Sequence, residues 1–149
     1  MSLSKTEAHQ PFQFELSNSK TAVLFIHGIL EGPYQFRELA KIATEKGYSA
    51  YAILLPGHGG TGEQFAKSSQ AQWRNTVERK IEQLEQKYDD LIIVGHSMGA
   101  LLSLLMIPQH SKIRKAFLIA TPLKIRVSLQ GIKVSLKAAL GHINEADPY

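Results

Sequence analysis

The chain has 149 residues, 44% hydrophobic and 20% charged, enough for one globular domain with a sizeable core. It has no apolar run near ~20 residues, which excludes a transmembrane helix, and no cysteine, which excludes disulfides and thiolate metal sites. The formal net charge of +4 gathers late, with Lys112, Arg114, Lys115, Lys124, Arg126, Lys133 and Lys137 but no Asp or Glu between residues 98 and 144; since Phe117 and, further on, Tyr149 are the only aromatics from residue 98 onward, this reads as a solvated basic face and not as a nucleic-acid surface.

The opening MSLSKTEAHQPFQ has no apolar h-region and no cleavage site, so no signal peptide is read and a cytoplasmic location is expected. Phe12, Phe14 and Leu16 alternate with polar residues, which predicts a strand over Pro11–Leu16, ended by the turn chemistry of Ser17–Lys20. TAVLFIHG is a continuous β-prone run, the pattern of a strand buried on both faces. A glycine-containing loop, Gly28 to Pro33, follows. Phe36, Leu39, Ala40 and Ala43 then fall at helical spacing, with Gly47 as the C-terminal cap. SAYAILL is the next strand, stopped by Pro56, and a loop from Gly57 to Gly62 comes after it. Trp73, Val77, Ile81, Leu84 and Tyr88 form one apolar stripe on a long polar helix. DLIIVG is a strand, Met98–Ile107 an apolar and therefore buried helix stopped by Pro108, and KAFLIA another strand. Strands separated by crossover helices predict a mainly parallel α/β sheet with flanking helices. In the tail, Leu129, Ile132, Leu136, Leu140 and Ile143 repeat at helical spacing. This stripe suits a helix packed on the sheet, a lid over a site, or a membrane-surface helix, and the packed helix is the expectation; association with a membrane is not expected.

The chemistry is concentrated in IIVGHSMGA, Ile92 to Ala100. Gly95-x-Ser97-x-Gly99 fits a nucleophile elbow, a sharp strand-to-helix turn that presents a serine hydroxyl. Side chains at positions 95 and 99 would collide with the neighbouring strand and helix, and the helix opening at Met98 aims free N–H groups at the serine. Acyl transfer also needs donors for the developing oxyanion. One is the N–H of Met98, the residue after the serine; the other comes from the loop after the earlier strand, in FIHGILEG, at Ile29.

Three segments in this order, His27-Gly28 with Gly32, Leu55-Pro56-Gly57-His58-Gly59 and Gly95-His96-Ser97-Met98-Gly99, resemble the α/β-hydrolase superfamily, specifically its serine esterase, carboxylesterase and monoacylglycerol-lipase-like branch. The resemblance spans residues 22–120. It implies hydrolysis of a small carboxylic ester through an acyl-serine intermediate, with Ser97 as nucleophile, Ile29 and Met98 as oxyanion donors, and no metal or organic cofactor. It also implies an acyl pocket under a helical cap, which residues 122–149 would begin.

One departure stands out. The family order is serine, then acid, then histidine. After Ser97 the sequence offers His110 and His142, then Glu145 and Asp147, so both histidines precede both acids. His27 and His58 belong to structural motifs, and His96 should point away from Ser97. The triad acid and base are therefore expected to be absent from residues 1–149, and the domain to be incomplete on its C-terminal side, since such domains commonly run ~200–250 residues. A hydroxyl without a base is a weak nucleophile. The alternative is a non-catalytic, truncated fragment acting as an oligomerising or binding module, because an open KAFLIA edge would pair with something; a homodimer or higher oligomer is expected. Gly57, Gly59 and Gly62 also fit a dinucleotide-binding pattern with Glu78 downstream, but Glu78 falls on the long helix and not at a strand end, so that reading is set aside.

Overall fold

Five β-prone segments pair into one sheet in a computed structural model that describes residues 9–124. The strands are β1 (Phe12–Phe14), β2 (Thr21–Ile26), β3 (Ser49–Ile53), β4 (Asp90–His96) and β5 (Ile113–Ile119), in the spatial order β1-β3-β2-β4-β5. Strands β2 to β5 run parallel, and β1 joins β3 antiparallel. The helices are α1 (Arg37–Glu45), α2 (Gly62–Ala66), α3 (Gln70–Glu85) and α4 (Met98–Met106), with 3-10 turns at Pro33–Phe36 and Ile107–Gln109. The expected α/β architecture is thus the one found.

Two local differences have clear causes. The first strand pairs only over Phe12–Phe14, because past it the Leu16 N–H donates to the Ser49 hydroxyl at 3.0 Å and not to the β3 backbone. The loop after β3 runs into α2, which the hydrophobic pattern did not announce. Its signal is polar: Thr61 Oγ1 accepts from the Gln64 N–H at 3.2 Å, and Gln64 Oε1 accepts from the Thr61 N–H at 2.9 Å. This reciprocal box satisfies two N–H groups at a helix start, and Ser69 with Gln72 repeats it at the start of α3.

Strand parity distributes the core. Leu24, Ile26, Tyr51, Ile53, Leu91 and Ile93 pack with Val77, Ile81 and Leu84 of α3 and with Leu102 and Met106 of α4. Their neighbours in sequence, Val23, Phe25, Ala50, Ala52 and Val94, pack with Phe36 and Ala40 on the α1 side. A one-residue step exchanges the faces, which is why β2 and β3 read as unbroken apolar runs.

The chain moves from β2 through α1 to β3, then through α3 back across β2 to β4. Right-handed crossovers in opposite directions put α1 on one face and α3 on the other. The strand order reverses at β2, and the carboxyl ends of β2 and β4 lie side by side there, with Ile26 paired to Gly95. Open α/β sheets place their ligands at such a reversal.

Among the described residues β5 is an edge strand, and Phe117 and Ile119 on it are exposed. The α4 helix departs from the expectation of full burial: Ala100, Leu102, Ser103 and Met106 are buried, but Leu104 and Leu105 are exposed. A helix apolar around its whole circumference does not reveal which side its neighbours take. No helix among the described residues is long and apolar enough to cross a membrane. The Leu129–Ile143 stripe, His142, Glu145 and Asp147 lie outside the described residues, as does most of the expected cap over 122–149.

Candidate active site

Ser97 joins β4 to α4 with φ 50° and ψ −115°. An L-residue adopts this backbone only when its surroundings hold it there. The restraints are visible: the Ser97 N–H donates to Ile119 O at 2.9 Å, and Ser97 O accepts from the N–H groups of Ala100 and Leu101 at 3.0 and 3.3 Å. The flanking glycines are needed for close approach. A Cβ on Gly99 would lie 2.1 Å from Ile26 O, and one on Gly95 would lie 2.7 Å from Ala100 Cα and Gly99 O. Either would push β4 and α4 apart, or α4 away from β2. Met98 opens α4, and its N–H makes no hydrogen bond to a described residue, as befits the first turn of a helix.

The loop after β2 lies against this turn. A Cβ on Gly28 would sit 3.1 Å from Ser97 Cβ. The fully buried His27 fixes the loop from below. Its Nε2 accepts from the Leu55 N–H at 3.0 Å, so its Nδ1 carries the proton and donates to Gly28 O at 2.8 Å. Burial pushes the His27 pKa down to about 4, against the smaller upward pull of the Gly28 carbonyl. This histidine is neutral and structural. The Ile29 N–H makes no hydrogen bond to a described residue, and Leu30 turns the loop with φ 57°.

Glu31 is a residue that sequence reasoning passed over. Its Oε2 accepts from the Gly28 N–H at 2.9 Å and from Gln35 Nε2 at 2.8 Å, and stands 2.7 Å from His96 Nδ1. Partial burial would raise its pKa, but the hydrogen bonds from Gln35, His96 and Gly28 outweigh it and hold the carboxyl below its ordinary range. The available signal was spacing: a carboxylate three residues beyond an N–H can reach back to it, as in a capping box.

No described residue hydrogen-bonds Ser97 Oγ. His96 is committed to Glu31. His110 pairs with Glu85 at 3.0 Å, just before the start of β5, at the far end of the parallel strands from Ser97. His58 packs against His27, Phe65 and Trp73, its Nδ1 near Pro56 O at 3.1 Å, and its buried Nε2 has no partner among the described residues. Beside the loop, a cleft of about 420 Å³ is lined by His9, Leu30, His58, Phe65 and the glycines of Gly57–Gly62. Glu78 lies on α3, away from any strand end. Among the described residues no cluster of three or more His, Asp or Glu is placed to hold a metal.

Comparison with known proteins agrees with this fold. The chain is 31% identical over 104 residues to the thermostable monoacylglycerol lipase of Bacillus sp. strain H-257, covering 70% of this chain and 41% of the lipase. It is 29% identical over 101 residues to a carboxylesterase of Bacillus subtilis strain 168, covering 67% of this chain and 40% of that protein. Among solved structures, a metagenome-derived lipolytic enzyme from the study of LipS and LipT superposes with a TM-score of 0.74 at 26% identity, over 95% of this chain and 54% of the other. The chain thus spans about two fifths of the curated relatives it matches. The family profile described as serine aminopeptidase, S33, matches residues 17–146, most of the chain, and on that match this protein belongs to that family and shares its α/β-hydrolase fold.

Proposed function

We propose that residues 9–124 carry the nucleophile and the oxyanion donors of an esterase- or lipase-type serine hydrolase acting on small carboxylic esters. The observation that carries this reading is Ser97 held at φ 50° between β4 and α4, with the Gly28 loop packed against it. Ser97 Oγ attacks the ester carbonyl carbon and gives its proton to a general base. The carbonyl oxygen becomes an oxyanion held by the Ile29 and Met98 N–H groups. Collapse of the intermediate breaks the ester C–O bond, releases the alcohol with that proton, and leaves an acyl-serine for water to cleave. The base and its acid come from outside residues 9–124. The two Bacillus relatives, a monoacylglycerol lipase and a carboxylesterase, support an ester as substrate.

The test is intact mass before and after a fluorophosphonate probe, with Ser97→Ala as control. Where a base reaches Ser97 from outside residues 9–124, from the rest of the protein or a partner copy, one adduct, lost in Ser97→Ala, is the expected result. Labelling that persists in Ser97→Ala rejects Ser97 as the nucleophile, and no labelling at all rejects its activation in this chain.

A second reading is favoured by one feature. Leu39, Ile42, Phe117 and Ile119 are exposed together around a groove of about 510 Å³ on the α1 side of the sheet, next to the β5 edge. An apolar face beside an unpaired edge supports self-association as a homodimer or higher oligomer, with or without catalysis. Sedimentation at micromolar concentration decides it, and a clean monomer rejects it.

A further inference from the structure

Glu31 has no part in acyl transfer as set out above, yet one of its oxygens joins the two segments that build the oxyanion site. Oε2 takes the Gly28 N–H, the Gln35 amide and His96 Nδ1, all within 2.9 Å. Gly28 stands between this carboxylate and the serine: a Cβ there would lie 2.7 Å from Glu31 Oε2 and 3.1 Å from Ser97 Cβ. Three consequences follow from the chemistry of the peptide group. The Gly28 N–H is consumed, so it cannot serve the oxyanion. With its carbonyl taken by His27 Nδ1, both polar groups of Gly28 are tied, one on each side. The next N–H, that of Ile29, is left free at a fixed place. His96 immediately precedes Ser97, so the same oxygen also ties the loop to the elbow, 65 residues away in the chain.

We propose that Glu31 is a positioning residue, which sets the Ile29 N–H against the Met98 N–H by clamping Gly28 to His96. The proposal rests on the reading of Ser97 as the nucleophile. Two donors from separate segments stabilise an oxyanion only when both lie at hydrogen-bond distance from one point, and a displacement of ~1 Å can cost on the order of a hundredfold in rate. Glu31 and His96 are both partly solvent-exposed, so the clamp acts through geometry more than through stability.

The experiment uses the full chain as wild type, Glu31→Ala, Glu31→Gln and His96→Asn. Fluorophosphonate labelling of Ser97 is resolved into a maximal rate and a reagent affinity. The amide resonances of Gly28 and Ile29 are recorded in parallel. Glu31→Ala should lower the maximal rate about 10- to 100-fold at unchanged affinity and shift both amides. Glu31→Gln keeps an oxygen for the Gly28 N–H and should retain most of the rate, which a general loss of folding would not allow. Should Glu31→Ala fail to fold, His96→Asn carries the comparison, with a loss on the order of fivefold in maximal rate at unchanged affinity. Wild-type labelling rates in the alanine variant, or equal loss in alanine and glutamine, would overturn the proposal. If wild type itself is not labelled at Ser97, the nucleophile reading fails separately, and the clamp is judged on the amides alone: unmoved Gly28 and Ile29 in Glu31→Ala reject it, and displaced ones uphold it.

Discussion

The two faces of the sheet are built from the same strands and end up unlike. On the α3 and α4 side, Leu24, Ile81, Leu91, Ile93 and Met106 are fully enclosed. On the α1 side, Val23, Phe25 and Ala40 are enclosed, but Phe117 is 56% and Ile119 43% exposed. One nine-residue helix covers β3 and β2 and stops short of β5, whereas sixteen- and nine-residue helices share the other side. Strand parity alone does not decide burial; each strand also needs an element packed over each of its faces, and among the described residues the α1 side of β5 has none. Phe117 and Ile119 point to the side where none reaches them.

The largest expected effect lies on the enclosed face. Ile81→Ala should cost about 4 kcal/mol in denaturant unfolding, because removed contacts and an unfilled cavity add. Ile119→Ala should cost under about 1 kcal/mol in the same titration. Equal costs would mean that the α1 face near β5 is as well packed as the other.

The pH dependence should come next. Folded His27 has a pKa of about 4, below its ordinary 6.5, so between those values the unfolded chain binds a proton that the folded chain does not. Stability present above about pH 6.5 should be lost as pH falls towards about 4, by about 3 kcal/mol in all, and unfolding curves of His27→Gln should lack that share of the slope. A slope unchanged in the variant would place the proton uptake elsewhere.

Gly99→Ala should cost about 2–3 kcal/mol, since its new methyl would meet the Ile26 backbone and cannot be relieved by a rotamer change. Differential scanning calorimetry reads it as a lowered Tm. The smallest effect on folding belongs to Phe117→Ser, within about 0.5 kcal/mol of wild type. Its readout is sedimentation: if the α1-side groove drives self-association, this variant should shift towards monomer while Ile81→Ala, if folded, should not.

Much of the frame was legible because burial leaves a periodic trace. The continuous apolar runs of β2 and β3 announced strands enclosed on both faces, and the Trp73–Tyr88 stripe announced α3. Gly95 and Gly99 were legible because their spacing around Ser97 has a steric meaning wherever a strand turns at once into a helix. The short α2 was not, since five residues held mainly by a capping box have no hydrophobic period to read. Nor was the partial exposure of α4, because Leu104 and Leu105 look like core residues until the neighbours of the helix are known.

The sequence by itself determined the alternation of strands and helices, the tight turn at Ser97 and the free N–H of Met98, since these follow from local periodicity, glycine spacing and a helix start. Only the tertiary structure decided what each polar group meets. Which nitrogen of His27 carries the proton depends on Leu55, twenty-eight residues on, and whether Gly28 can serve an oxyanion depends on the carboxylate of Glu31 and on His96 beyond it. Leu55 reaches His27 because β2 pairs with β3, and His96 reaches Glu31 because β2 pairs with β4 at the point where the sheet reverses.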